Sequence, residues 1–180
     1  NSEWPCAPLE KGKSENTMVL GEGSSMFTLE KNIGQKAVAR IIGCGYATEI
    51  IEHNASLSSN ADCMQKSMRM ALEDAGLSEV DVVLIHAPGT VQGDEAEVRA
   101  VGEVLGNDVH MISTKHQTGH TLGASGGLSL DLAIEMLVRG EVVGFPYDVS
   151  VKQDQRAPKT ALVNAVGFGG NAVSIVLQKA

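Results

Sequence analysis

The residues best suited to chemistry lie in one stretch, Ser113-Thr114-Lys115-His116-Gln117-Thr118-Gly119-His120-Thr121-Leu122-Gly123-Ala124-Ser125-Gly126-Gly127. It sets Lys115 and His120 five residues apart, just ahead of a helix that starts poor in bulky side chains. Small residues from Gly123 to Gly127 let another backbone or a ligand approach closely. A polar pair at the mouth of such a helix stands near the positive end of the helix dipole, where an anion or a developing oxyanion is stabilised. His116 and His120 also have the four-residue spacing of two metal ligands on a helix. No glutamate lies between them, no third ligand is evident and the sequence around Gly119 is turn-like, so no metal site is expected.

These residues need a scaffold, and the rest of the chain reads as alternating strands and helices. Met26–Glu30 and Val38–Gly45 are short β-rich runs, the second with glycines that suggest a bulge or close packing. Met64, Met68, Leu72 and Ala75 recur at helical spacing up to Gly76, with Asp62 as a candidate cap. The Val80–Ala87 run, apolar across Val82-Val83-Leu84-Ile85, reads as a buried strand closed by Pro88-Gly89. A helix is expected over Asp94–Leu105, a strand over His110–Ser113 and a helix over Gly119–Arg139. Ala161–Val166 and Ala172–Leu177 flank a glycine turn and read as an antiparallel hairpin. The alternation implies an α/β layered sheet.

At 180 residues, 43% of them hydrophobic, the chain can bury one sizeable core. A net charge of −8 without a basic cluster disfavours nucleic acid and anionic membranes as direct partners. Lys152, Arg156 and Lys159 are the only candidates for a local basic patch, and a solvated loop is the better explanation for them. Cys6, Cys44 and Cys63 form an odd, scattered set, which argues against a disulfide framework and fits a reducing, cytoplasmic setting. No apolar run is long enough to span a bilayer and no signal-peptide pattern is present. Asn1–Lys13 lacks periodicity, so residues 1–19 are expected to be irregular and 20–180 to form the domain.

Three further segments share their order with the Ser113–Gly127 stretch. They are Leu20-Gly21-Glu22-Gly23, Ala87-Pro88-Gly89-Thr90 with Asp94 and Glu97, and Asn164-Ala165-Val166-Gly167-Phe168-Gly169-Gly170. Together the segments resemble the β-ketoacyl-acyl-carrier-protein synthases from about Leu20 to the end of the chain. The resemblance implies a thiolase-like fold, of which this chain would hold the C-terminal half, a layered αβα unit with a mixed five-stranded sheet, plus the last strands of the N-terminal half. It implies decarboxylative condensation of acyl and malonyl carrier thioesters, in fatty-acid or polyketide-type synthesis. The nucleophilic cysteine would belong to the absent first half, so the fragment alone would be inactive. The partners implied are an acyl carrier protein and a second synthase subunit, as homodimer or heterodimer. No cofactor is implied.

Carried over by position, His120 would stabilise the enolate and Lys115 would support it. Phe168 would gate the acyl pocket and complete an oxyanion hole with its N–H, with Gly169 and Gly170 on the substrate-binding glycines beside it. Thr90 would touch the pantetheine arm, while Asp94 and Glu97 would cap and brace their helix. The chain also departs from the pattern. Pro88 stands where the family has a catalytic histidine, and proline has no side-chain donor. His86 stands where the family has asparagine, on the same side of an extended strand as Pro88. It either presents the missing imidazole or replaces a structural asparagine. Gln92, Ser129 and Asn171 replace the family's threonine, glutamate and threonine. Losses at Pro88 and Ser129 leave open a non-catalytic partner of the chain-length-factor kind. A degradative thiolase is disfavoured because no cysteine occurs near Val166–Asn171.

Overall fold

The structure, a computed structural model, describes residues 3–31, 37–51, 57–154 and 156–180. Its frame is a mixed five-stranded sheet in the order β1-β5-β4-β2-β3. The strands are β1 (Ala39–Thr48), β2 (Val82–Leu84), β3 (His110–Ile112), β4 (Thr160–Gly167) and β5 (Asn171–Lys179). β2 runs parallel to both β3 and β4, whereas β5 is antiparallel to β4 and β1. The helices are α1 (Asp62–Ala75), α2 (Val91–Leu105), the single turn α3 (Lys115–Thr118) and α4 (Ser125–Arg139).

Strand alternation builds two cores. Val83, Ile85, Met111, Leu162 and Val176 join Met64, Met68 and Leu72 of α1 and Ala100 and Val101 of α2. Val82, Leu84, Ile112, Val163 and Leu177 face the other way, onto Ala133, Met136 and Leu137 of α4. The expected methionine stripe is therefore core, and the layers stack helix, sheet, helix. No helix among the described residues is long and apolar enough to cross a membrane.

The glycines of β1 have a measurable cause. The register shifts between Ile41 and Gly43, and a Cβ on Gly43 or Gly45 would overlap the carbonyl oxygens of Ala71 or Ser67. α1 thus lies backbone to backbone on β1. Asp62 is not the cap of α1. That position is Ala61, in the left-handed region, and the carboxylate of Glu49 accepts the Cys63 N–H at 3.2 Å.

Several sequence expectations are corrected. Met26–Glu30 forms no strand, because no neighbouring strand among the described residues pairs with it; Met26 is 95% exposed. The β2 ladder stops at Leu84 because the N–H groups of His86 and Ala87 turn to the carboxylate of Glu97 instead. The helix expected from Gly119 begins only at Ser125. Gly119 at φ 65°, ψ −175° and Leu122 at φ 52° hold the backbone out of the helix. The hairpin of β4 and β5 is as expected, with Gly169 and Gly170 both at positive φ in its turn. The N-terminal segment is irregular yet packed: Cys6, Ala7 and Leu9 are buried, and Glu10 bridges to Val149. Asn1 and Ser2 lie outside the described residues.

Gly45→Ala should destabilise the protein by about 1–3 kcal/mol, since the new methyl must push α1 off the sheet. Chemical denaturation of the two proteins measures this.

Candidate active site

The carboxyl ends of β2, β3 and β4 point to one edge of the sheet, the edge at which open α/β sheets bind ligands. His86 to Thr90 follow β2, Lys115 and His120 follow β3, and Phe168 follows β4.

Glu97 organises the first of these segments. Its carboxylate, 1% exposed, accepts the N–H of His86 at 2.8 Å and of Ala87 at 2.7 Å. The side-chain amide of Asn164 donates to it at 3.3 Å. Asp94, one turn earlier, accepts the N–H groups of Gly89 and Thr90, both at 3.1 Å. Lys13 reaches the same carboxylate at 2.8 Å, a buried ion pair that ties the N-terminal segment to the loop. The two acids therefore pin successive N–H groups from His86 to Thr90. Ser113 Oγ donates to the Ala87 carbonyl at 3.2 Å and joins this loop to the end of β3.

Lys115 is 1% exposed. Burial lowers its pKa, and Glu97 opposes the fall. Burial likewise raises the pKa of Glu97, against its N–H donors and Lys115. His116, beside Lys115, donates from Nδ1 to the Ser113 carbonyl at 2.8 Å. Its ring packs among Trp4, Phe145 and Tyr147, with centroids 5.4 to 6.2 Å away. His116 is thus a packing residue that anchors α3, and it shares no helix with His120.

The N-terminal segment holds His120. Its N–H donates to the Val19 carbonyl at 2.7 Å, and its carbonyl accepts the Gly21 N–H at 3.1 Å. A Cβ on Gly21 would overlap the Thr118 carbonyl, so the Leu20-Gly21-Glu22-Gly23 motif works as a clamp. Gly127 admits Ser25 where the same segment crosses α4, and Gly126 seats α4 on Ala165 of β4. The Leu122 N–H donates to His120 Nδ1 at 3.2 Å, and Ser125 Oγ lies 3.0 Å from the same atom. Because a backbone N–H can only donate, the neutral ring carries its proton on Nε2. The imidazole therefore enters the site as a donor.

His86 meets it there. The two rings lie edge to face, centroids 5.1 Å apart and planes at 82°. His86 is 7% exposed. Burial, then Lys115, then His120 hold its pKa well below the usual histidine value, and burial and Lys115 lower that of His120. Two neutral imidazoles thus stand together near a buried lysine. Such a constellation can donate hydrogen bonds to an oxygen gaining negative charge.

The other expected residues lie less centrally. Thr90 is half-buried at the start of α2, and no cap bond uses its hydroxyl. Phe168 is 80% exposed at the hairpin tip, with Asn171 donating to its carbonyl at 3.0 Å. Ser129 is buried in α4. Lys152 and Arg156 pair with Asp108 and Asp154 on loops at the amino ends of β3 and β4, and Lys159 directly precedes β4, so they make no basic patch at the site. All three thiols are raised by burial, Cys63 to about 12, and none is an activated nucleophile. A cavity of about 360 Å³ lies between the N-terminal segment and α2, lined by Leu9, Lys13, Val91, Asp94, Val98 and Arg99, and it reaches neither imidazole.

Sequence reasoning assigned Glu97 only a bracing role. Its signal was present: Glu97 shares the buried face of α2 with Ala100 and Val101, and a carboxylate on a core stripe needs an internal partner.

Residues 38–145 match the family model "Beta-ketoacyl synthase, C-terminal domain", and the chain belongs to that family. It is similar to 3-oxoacyl-[acyl-carrier-protein] synthase 2 of Vibrio cholerae, at 30% identity over 99% of this chain and 49% of that protein. The synthase 2 of Staphylococcus aureus is 28% identical over 98% of this chain and 47% of its own. The chain thus spans about half the length of these relatives. Among solved structures, a ketosynthase in complex with its chain length factor from Xenorhabdus doucetiae superposes with a TM-score of 0.72 at 25% identity, over 81% of this chain and 40% of that one. A beta-ketoacyl synthase from Burkholderia phymatum gives 0.69 at 29% identity, over 79% and 38%. The fold is thiolase-like, as the sequence implied.

Stability should fall as pH drops below about 6.5, because the unfolded chain accepts at His86 a proton that the buried ring refuses. His86→Gln should flatten that fall in urea titrations between pH 5 and 7.

Proposed function

We propose that this chain supplies the enolate-stabilising half of a β-ketoacyl-acyl-carrier-protein synthase. The edge-to-face approach of His86 to His120, beside buried Lys115, carries the reading. It answers the loss at Pro88: one imidazole comes from the expected position and the second from two residues earlier. The substrate is a malonyl thioester on an acyl carrier protein. Its C2–carboxylate bond breaks, CO₂ leaves, and the electron pair moves into the thioester as an enolate. Nε2–H of His120 and the His86 ring donate to the enolate oxygen. The enolate carbon attacks an acyl thioester held on a cysteine from outside these residues, and the thiolate departs. Phe168 and the glycines after it would border the acyl pocket, and Thr90 the carrier's pantetheine. The raised pKa of each thiol supports placing the nucleophile elsewhere, and the chain alone is expected to be inactive.

A second reading, a non-catalytic partner of an active ketosynthase, draws on Pro88 and Ser129. Retention of Lys115 and His120 in a buried, neutral-imidazole setting favours the catalytic one.

In the natural gene product, His120→Ala should cut CO₂ release from malonyl carrier by roughly 10²–10³-fold, the cost of one lost oxyanion donor. His86→Asn should cut it comparably; normal release there would make His86 a structural substitute. No release by the natural protein alone, with condensation restored by a separate ketosynthase, would establish the partner reading instead.

A further inference from the structure

A line of buried polar groups runs from α1 through the sheet to Glu97. Ser67 Oγ lies 3.0 Å from the Met64 carbonyl and 2.8 Å from Ser174 Oγ. Ser174 Oγ lies 2.8 Å from Asn164 Oδ1, and Asn164 Nδ2 lies 3.3 Å from Glu97 Oε1 and 3.4 Å from Met68 Sδ. Ser67 and Ser174 are fully buried and Asn164 is 2% exposed.

The hydrogens can be assigned by counting donors. Asn164 Oδ1 only accepts, so Ser174 spends its one hydrogen there. The hydrogen between the hydroxyls must then come from Ser67, which leaves the Met64 carbonyl to its own helix. Each link of the line thus donates toward Glu97, with the second amide hydrogen of Asn164 on Met68 Sδ, and the line ends on a carboxylate.

A proton on Glu97 upsets this order. Its partners are the N–H groups of His86 and Ala87 and the amide of Asn164, all donors. The acid O–H gains an acceptor when the Asn164 amide turns over. Nδ2 then donates to Ser174, Ser174 to Ser67, and Ser67 to the Met64 carbonyl at 3.0 Å. No hydroxyl loses a partner in either state, and the turned amide gives up only the weak thioether acceptor of Met68, which matters because unsatisfied buried donors are costly.

We propose that Ser67, Ser174 and Asn164 are positioning residues, a hydrogen-bond chain through the core whose direction reverses with the proton on Glu97. In the outward direction the chain holds Glu97 ionised under the His86 loop and facing Lys115. The relevance to condensation rests on the proposed function; the chain itself does not. Around Glu97 stand Lys115 on α3, His86 on the loop, and Asp94 on its own helix with Lys13 bonded to it, and Lys115 also faces Cys6.

The test is an NMR titration of this protein with ¹³C-labelled glutamate carboxyls, Glu97 being assigned with Glu97→Gln. In the unsubstituted protein the Asn164 side-chain NH₂ signals should move with the same midpoint as Glu97; signals that stay fixed through it would overturn the reversal. Ser67→Ala removes the last acceptor of the reversed chain but only a spare donor of the outward one. The Glu97 midpoint should therefore fall by about one unit, the worth of one unsatisfied buried hydroxyl. An unchanged or raised midpoint in a folded Ser67→Ala protein would refute the proposal. Neither readout needs turnover, so failure of the condensation reading would leave both results standing.

Discussion

A carboxylate buried against the end of a strand holds this site together. Glu97 would be expensive to bury alone, and three N–H donors and a nearby lysine offset that cost. In return it ends the β2 ladder and turns His86 out of the sheet. Asp94 extends the same device by one helical turn, to Gly89 and Thr90. Two acids on one face of α2 thus set the path of the whole loop. Lys115 shares the same buried volume, and its charge adds to burial in keeping both imidazoles neutral.

His120 is held differently, by backbone groups and the Ser125 hydroxyl. The N-terminal segment pairs with it on both sides, and the Leu122 N–H fixes its tautomer. That arrangement needs a left-handed residue at Leu122 and glycines at Gly21, Gly119 and Gly127, where side chains would collide or strain. Strain of this kind is tolerated where the surrounding contacts outweigh it. Here those contacts are the clamp at Val19–Gly21 and the seat of α4 on β4.

Much of this was legible in the sequence. Apolar runs and helical spacing gave the sheet elements, and the glycine-bounded hairpin was plain from its turn. The motifs singled out Lys115, His120 and Phe168, which the structure sets after β3 and β4. What could not be read were the places where a long-range bond overrides a local pattern. The Gly119–Arg139 periodicity is helical, yet the pairing of His120 with Leu20 delays the helix to Ser125. Met26–Glu30 has strand composition but finds no partner strand. The proximity of His86 to His120 depends on Glu97 bending a loop across sequence separations that no spacing rule reaches.

Glu97 is the anchor of the His86 loop. Hydrogen–deuterium exchange at the His86 and Ala87 amides, compared between the protein and Glu97→Gln, tests it most directly. The glutamine keeps the shape but loses the charge and one acceptor. Loss of charge-assisted bonds should raise exchange at these two amides by about tenfold or more, with β4 and β5 unaffected. Equal protection in both proteins would contradict the account.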